Sequence, residues 1–381
     1  MTPDDLAAGV PVPGQLTVDD FLDPSTDRTP VTDQPAPDLV VLSLGAGVQS
    51  TTLALLAADG TLPRPDVAIF ADTGWEPRAV YEHLDRLEAA LPFPVLRVQK
   101  GNLRDDMLGE GRRFAAIPAF VRNPDGSDGI GRRQCTSEYK LVPIRRKVRE
   151  LLGAAPPDYR TVPRGKVCEQ WVGFSTDEVH RANRVKDSDG VQYLTVRYPL
   201  LELGMSRADC ERWLRVRGWG SVAKSACIGC PFHGNRTWRA MRDSCGCGHD
   251  RREHYHLGDG LAVEWGACGV GLNSDQPRCG CPVFETEEWD DAVAFDRDLR
   301  AVSSRYADSL NGEAYLHRSL IPLDRAPIDR VTRGEWKAAQ GDLFEYAADV
   351  AAGLDPDEDG DPDGCSPYGC RSGEPVTLDD P

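Results

Sequence analysis

The sequence has no run of eighteen apolar residues, so no segment reads as a membrane-spanning helix. Its first residues, "MTPDDLAAGVPVPG", have neither a basic region nor an apolar stretch, which argues against a secretory signal. It also lacks the lysine of a Walker A loop and the GxGxxG spacing of a dinucleotide fold, so neither common phosphate-binding signature applies. Aromatic residues make up only 7% of the chain. Cysteine, by contrast, is plentiful, with twelve in 381 residues. In the cytoplasmic setting expected here thiols stay reduced, and paired cysteines more often hold metal than form disulfides.

The net charge of −17 is concentrated at the ends. Residues 1–38 carry −7 and 354–381 carry −8, which leaves −2 for the rest. Both ends are rich in Asp, Pro and Gly and poor in large apolar residues, so 1–38 and 351–381 are predicted to be disordered acidic segments. The folded part is close to neutral, and total charge names no partner.

From Leu39 onward, strand, loop and helix alternate. "LVVLSL" and "PDVAIFADTG" are buried-type strands, and "QSTTLALLAADG" between them reads as a helix ended by Gly60. Pro77 suits the first turn of a helix that places Val80, Leu84, Leu87 and Leu91 on one side, and "PVLRVQ" makes a third strand. This alternation predicts a parallel sheet covered on both faces. A helix from Pro143 to Leu152, a strand at 170–175 and a helix with Ser206 and Asp209 as a capping box follow. Near the end, Ala292, Phe295, Leu299 and Val302 mark one face of another helix. The predicted layout is a nucleotide-binding α/β domain at 39–203 and a helical region at 204–350. A Cys/His-rich module at 244–288 interrupts that region.

Ser43, Gly45, Ala46, Gly47 and Ser50 lie between the first strand and its helix. Small residues let backbone approach a ligand, hydroxyls add donors, and the helix N-terminus favours an anion. Alone, such a loop is as readily a structural turn. "SLGAGVQS" with "FADTGWE" at 70–76 resembles the adenine-nucleotide α-hydrolase superfamily, in the phosphoadenosine-phosphosulfate reductase-like (PP-loop) branch. "RRQCTSEYKLVPIRRKVRELLG", "GFSTDE", "YPLLELGMSRADCERWL", "SACIGCPFH" and "LHRSLIPLD" are similar to its phage and bacterial subgroup, so the resemblance covers 39–325. It implies a doubly wound, mostly parallel five-stranded sheet with ATP or a related adenine nucleotide above the strand ends. On it Asp72, Thr73 and Gly74 join the nucleotide contacts, with Asp72 touching ribose or metal, or else capping the helix at Pro77. Trp75 is a base-stacking surface or core. Two departures stand out. The acidic residue of the family loop SGGxDS is Gln49 here, which leaves Mg²⁺ in question, and the reductase ECG-type cysteine motif is absent.

Cys227 and Cys230 form a CxxC whose spacing allows two thiolates to share one metal. With Cys135 and Cys210 they are the cysteines in matching motifs. Sulfur-transferring members of the superfamily often carry a [4Fe–4S] cluster, and these four are its expected ligands. A zinc site, or a redox CxxC beside two buried core thiols, stays open; Cys168 is expected to be buried. In the module, so many soft ligands with so little apolar material need bound Zn²⁺, worth roughly 10 kcal/mol or more. Cys247, His254, Cys268 and Cys281 are the favoured set. Residues 104–166 carry a local charge of +6, and there Arg132 and Arg133, flanking Cys135, are candidates to hold phosphates of a nucleotide or nucleic acid. A solvated helix face is the plain alternative for that charge.

The leading expectation is an enzyme of α-phosphate chemistry coupled to sulfur transfer or reduction, with Cys135 as the sulfur-carrying thiol if it holds no cluster. Nucleic acid or a sulfur-donor protein is its expected partner. The alternative is a non-catalytic, zinc-containing nucleotide sensor or nucleic-acid-associated protein.

Overall fold

The computed structural model describes residues 36–109, 117–182, 192–220, 222–243, 256–257, 263–264, 287–303 and 312–331. β1 (Leu39–Leu44) leads to α1 (Val48–Ala58), β2 (Val67–Asp72), α2 (Arg78–Ala90), β3 (Val95–Gln99) and α3 (Leu103–Leu108). A hairpin of β4 (Phe120–Arg122) and β5 (Asp128–Ile130) precedes a π-helical turn, Thr136–Leu141, which continues as α4 (Val142–Leu151). β6 (Cys168–Val172), β7 (Leu194–Arg197), α5 (Arg207–Val216) and α6 (Asn235–Asp243) follow. Within the predicted module the described residues are β8 (His256–Leu257), paired with β9 (Val263–Glu264), and the start of α7 (Glu287–Ser303). β10 (Glu313–Tyr315) comes last. Among the described residues, no helix is long and apolar enough to cross a membrane.

The principal sheet has the order β3-β2-β1-β6-β7 with every neighbouring pair parallel. The expected five-stranded parallel sheet with flanking helices is therefore present. Leu42, Leu44, Phe70 and Trp171 pack on one face with α1, α2 and α5; Val41, Val67, Ile69 and Cys168 pack on the other with Ile144 and Val148 of α4. α1 is buried nearly all round because the sheet lies on one side and α5 on the other. Its Thr52 hydroxyl satisfies itself on the Val48 carbonyl at 3.0 Å, which lets a polar residue sit in that layer. α5 starts as its sequence predicts: Ser206 Oγ accepts from the Asp209 amide at 3.1 Å and Asp209 accepts from the Ser206 amide at 2.9 Å.

A second core forms from segments distant in sequence. Trp75, Met107, Tyr139, Ile228 and Trp238 meet Ala292, Phe295, Leu299 and Val302, the predicted face of α7. β10 pairs antiparallel with β4, so the three-stranded sheet β10-β4-β5 draws on both sides of residue 203. Asp296 of α7 is buried, yet its carboxylate accepts from the Leu316 and Leu323 amides at 2.9 Å each and pairs with Arg300. A buried charge satisfied this way fixes where the segment after β10 lies.

Candidate functional site

The sheet order reverses beside β1: β2 and β3 extend to one side of it, β6 and β7 to the other. In open α/β sheets that reversal leaves a crevice outside the strand C-termini, between the loops that follow the two central strands. Here those loops are 45–47 and 173–178. The second packs on the first turn of α1, since a methyl group at Gly173 would stand 3.1 Å from the Ser50 nitrogen and 3.2 Å from the Gln49 carbonyl carbon. Ala46 adopts φ +56, an unusual conformation for a residue with a side chain and the kind of strain that collects at functional loops. Ser50 Oγ accepts from the Gly45 and Gly47 amides, both at 3.2 Å, so one hydroxyl gathers the loop around the start of α1. Ser43 is buried, and its hydroxyl accepts from Gln170 at 2.5 Å, below the crevice floor.

Gln49 stands where the family loop has an acid, and its amide nitrogen donates to Glu178 across the crevice at 3.3 Å. Its carbonyl oxygen accepts from Arg207 at 3.5 Å. A carboxylate is thus present at this point, carried by the opposite loop. Glu178 also pairs with Arg181, and Asp177 accepts from the Arg207 amide at 2.6 Å. The tract 222–230 lies over the loop, with Ser225 Cβ at 3.5 Å from where a methyl on Gly47 would be.

At the end of β2, Asp72 accepts from the Gly74 amide at 2.7 Å and from the Tyr81 hydroxyl at 2.8 Å. The first amide of α2, Arg78, donates to Glu288 at 2.6 Å rather than to Asp72. Burial, with Asp72 alongside, pushes the Tyr81 phenol above its ordinary range. Gly74 has φ +71 and crowds Asn102, whose side-chain amide donates to its carbonyl at 2.9 Å. Trp75 is core: its indole N–H donates to Asp291 at 2.6 Å and its ring lies 4.5 Å from Phe295. A methyl on Gly229 would stand 2.0 Å from that indole, so the CxxC turn rests flat on the ring.

Beneath that turn lies a polar cluster that sequence reasoning missed. Thr73 donates to Glu76 at 3.0 Å and lies 3.3 Å from the Cys227 sulfur. The Cys227 thiol points to the same Glu76 oxygen at 3.7 Å, and Lys140 Nζ is 3.5 Å from it. The Glu76 side chain is fully buried and its second oxygen has no hydrogen-bond partner among the described residues. Lys140 belongs to the π-helical turn, a local widening often found at functional sites. Both residues stood within quoted motifs, in "FADTGWE" and "EYKL". Neither residue type nor spacing marks them as partners, because they meet only across sixty-four residues of chain.

The four expected cluster cysteines are not brought together. Cys210 is in the α1–α5 layer, where the Thr52 hydroxyl lies 3.4 Å from its carbonyl and burial pushes its thiol up to about 12. Cys135 and Cys227 belong to the second core instead. Among the described residues no group of three or more Cys, His, Asp or Glu is placed to hold a metal ion. Hydrophobic burial on the inner face of α5 decides this, because it turns Cys210 toward α1. Cys168 is buried as expected, its thiol pushed up to about 12 by burial. Cys247, His254, Cys268 and Cys281 lie outside the described residues.

The basic residues divide. Arg132 is exposed, and Arg133 lies over the Phe232 ring beside the CxxC at 5.6 Å. Lys147 pairs with Glu150 at 2.8 Å and Arg146 covers Tyr159, so these two belong to the surface of α4.

These features define a doubly wound α/β protein with a crevice at the strand-order reversal and a buried polar cluster around Cys227 one strand away. No family model matches the chain, and no curated protein matches it. Among solved structures, phosphoadenylyl-sulfate (PAPS) reductase from Candida auris, in a phosphate complex, is similar at 14% identity. The overlap covers 54% of this chain and 81% of the other, with a TM-score of 0.32. A similarity that low carries no argument about the site.

Proposed function

We propose that the chain binds an adenine nucleotide in the crevice between loops 45–47 and 173–178 and couples it to sulfur transfer or reduction. The carrying observation is the reversal of strand order beside β1, with Gly173 packed directly on Gln49 and Ser50. The α1 N-terminus and the glycine backbone favour a phosphate there by about 1 kcal/mol. Arg207, already on Gln49, adds a cation at the mouth.

In the ATP form of this reading, an acceptor oxygen attacks the α-phosphorus and pyrophosphate leaves. A sulfur nucleophile then displaces AMP together with that oxygen. The loop stabilises the leaving phosphates, as donors placed for developing charge do. Bound Mg²⁺ would neutralise those phosphates, and Glu178 is the carboxylate nearest to Gln49 to meet it.

Calorimetry with ATP, ADP and 3′-phosphoadenosine 5′-phosphate tests binding. A micromolar Kd for at least one, lost in Gly173→Val, is expected; no binding of any sinks the reading. A second reading has its own observation, the Gln49–Glu178–Arg207 bridge across the crevice, which suits a nucleotide sensor without catalysis. ATP–pyrophosphate exchange separates the two: binding without exchange for any acceptor favours the sensor.

A further inference from the structure

We propose that Cys227 and Cys230 form a dithiol–disulfide couple in which Glu76 takes the Cys227 proton. This goes beyond the nucleotide crevice and does not depend on it. The turn that joins the two cysteines is closed by a hydrogen bond from the Cys230 amide to the Cys227 carbonyl at 3.0 Å. Such a turn brings its first and last residues within the span that a disulfide requires.

The chemistry around Cys227 singles it out as the attacking sulfur. Its S–H already points to the Glu76 carboxylate, and the Thr73 hydroxyl, which donates to that carboxylate, lies 3.3 Å from the sulfur and can turn its proton to it once Glu76 is protonated. Lys140 supplies a buried positive charge on the same carboxylate. Before proton transfer the cluster holds a thiol, a carboxylate and an ammonium. Afterwards it holds a thiolate, a carboxylic acid and an ammonium. Net charge inside the cluster is unchanged, so the transfer adds no further ion to a dry site. The second Glu76 oxygen, buried and without a hydrogen-bond partner among the described residues, is an acceptor in a place where such groups are rare. On the other side of the turn, His233 is held by the Cys227 carbonyl at 2.9 Å and lies near Lys224; burial keeps its ring neutral.

The co-reactant is a small disulfide, R–S–S–R. Cys227 and Cys230 are each less than a tenth exposed, which keeps out a folded protein and requires a co-reactant small enough to enter beside the turn. Once Glu76 has the proton, the Cys227 thiolate attacks one sulfur and the S–S bond breaks. R–S⁻ leaves and takes the proton back from Glu76. Cys230 then attacks the Cys227 sulfur of the mixed disulfide, and the second R–SH leaves with the Cys230 proton. The two protein thiols are oxidised by two electrons, and the small disulfide is reduced to two thiols.

The test uses the reduced full chain and hydroxyethyl disulfide, with no nucleotide present, so its failure is distinct from failure of the nucleotide reading. After alkylation of remaining thiols, trypsin releases residues 225–236, whose mass reports the couple. An internal disulfide is expected in the wild type, and in Cys230→Ser a mixed disulfide held on Cys227. Glu76→Gln should slow the first step roughly tenfold or more and flatten its pH dependence. Glu76→Asp should recover part of the rate, which separates proton transfer from loss of fold. A peptide that stays reduced, a first adduct on Cys230, a bridge from Cys227 to Cys135, oxidation by a folded disulfide protein alone, or an unchanged rate in Glu76→Gln would each overturn the proposal.

Discussion

The ends of β1 and β2 lie side by side in the sheet, yet they are built in opposite ways. After β1, the loop closes on itself: one hydroxyl, Ser50, five residues from Gly45, collects two amides. After β2, the turn is completed from afar: Glu76 meets Lys140 and Cys227, and Trp75 meets Asp291, Phe295 and Gly229. A locally closed loop draws the hydrogen bonds that shape it from its own residues. A turn completed by remote segments holds its buried charge only while those segments are in place.

Substitutions should therefore affect the two ends unequally. The largest effect is expected at Glu76→Ala, which removes the carboxylate from buried Lys140 and should cost about 3–5 kcal/mol in urea unfolding. Gly229→Ala forces a methyl into an indole that Phe295 and Asp291 hold still, for a loss of about 1–3 kcal/mol. Ser50→Ala should cost about 1–2 kcal/mol, since two amides lose their acceptor. Gly45→Ala sharpens the contrast: a methyl there meets nothing nearer than 3.6 Å, and the change should stay within about 0.5 kcal/mol. A costlier Gly45→Ala than Gly229→Ala would break the comparison.

Acid should act on both ends alike. His83, bonded to Thr51 of α1 at 2.9 Å, and His233, on the Cys227 carbonyl, are both lowered to about 4, chiefly by burial. Between about 6.5 and 4 the unfolded chain binds more protons than the folded one. Stability is then fully present above the unfolded value and is lost as pH falls, by at most about 1.4 kcal/mol per pH unit for each proton. Urea midpoints at pH 7 and pH 5 check this, and His83→Gln or His233→Gln should each reduce the difference.

Much of the scaffold was legible in the residue pattern. "LVVLSL" is β1 over Leu39–Leu44, the Ser206/Asp209 box starts α5, and Ala292, Phe295, Leu299 and Val302 are buried on α7. Each of these signals is periodic or local, and burial enforces it wherever the element ends up. β7 was harder to see, because "LTVR" is four residues on an edge with only Leu194 fully buried. The three-stranded sheet escaped notice because β10 finds β4 almost two hundred residues away. The π-helical turn lies ahead of the helix predicted from Pro143, and nothing in "TSEYKL" marks it, so the placement of Lys140 on Glu76 was not legible either. Cys210 shows the same limit from the other direction. Its motif suggested a ligand, but its position on the inner face of α5 made it core.

The sequence by itself determined where β1, β2, β3 and the main helices lie, where one helix is capped, and that a small-residue loop follows β1. Those properties depend on backbone preference and on the spacing of apolar residues. Only the tertiary structure decided that the order reverses between β1 and β6, so that Glu178 faces Gln49, and that Cys227 meets Glu76 rather than Cys210. Such pairings are set by how the two cores close over segments far apart in the chain, and no local pattern encodes them.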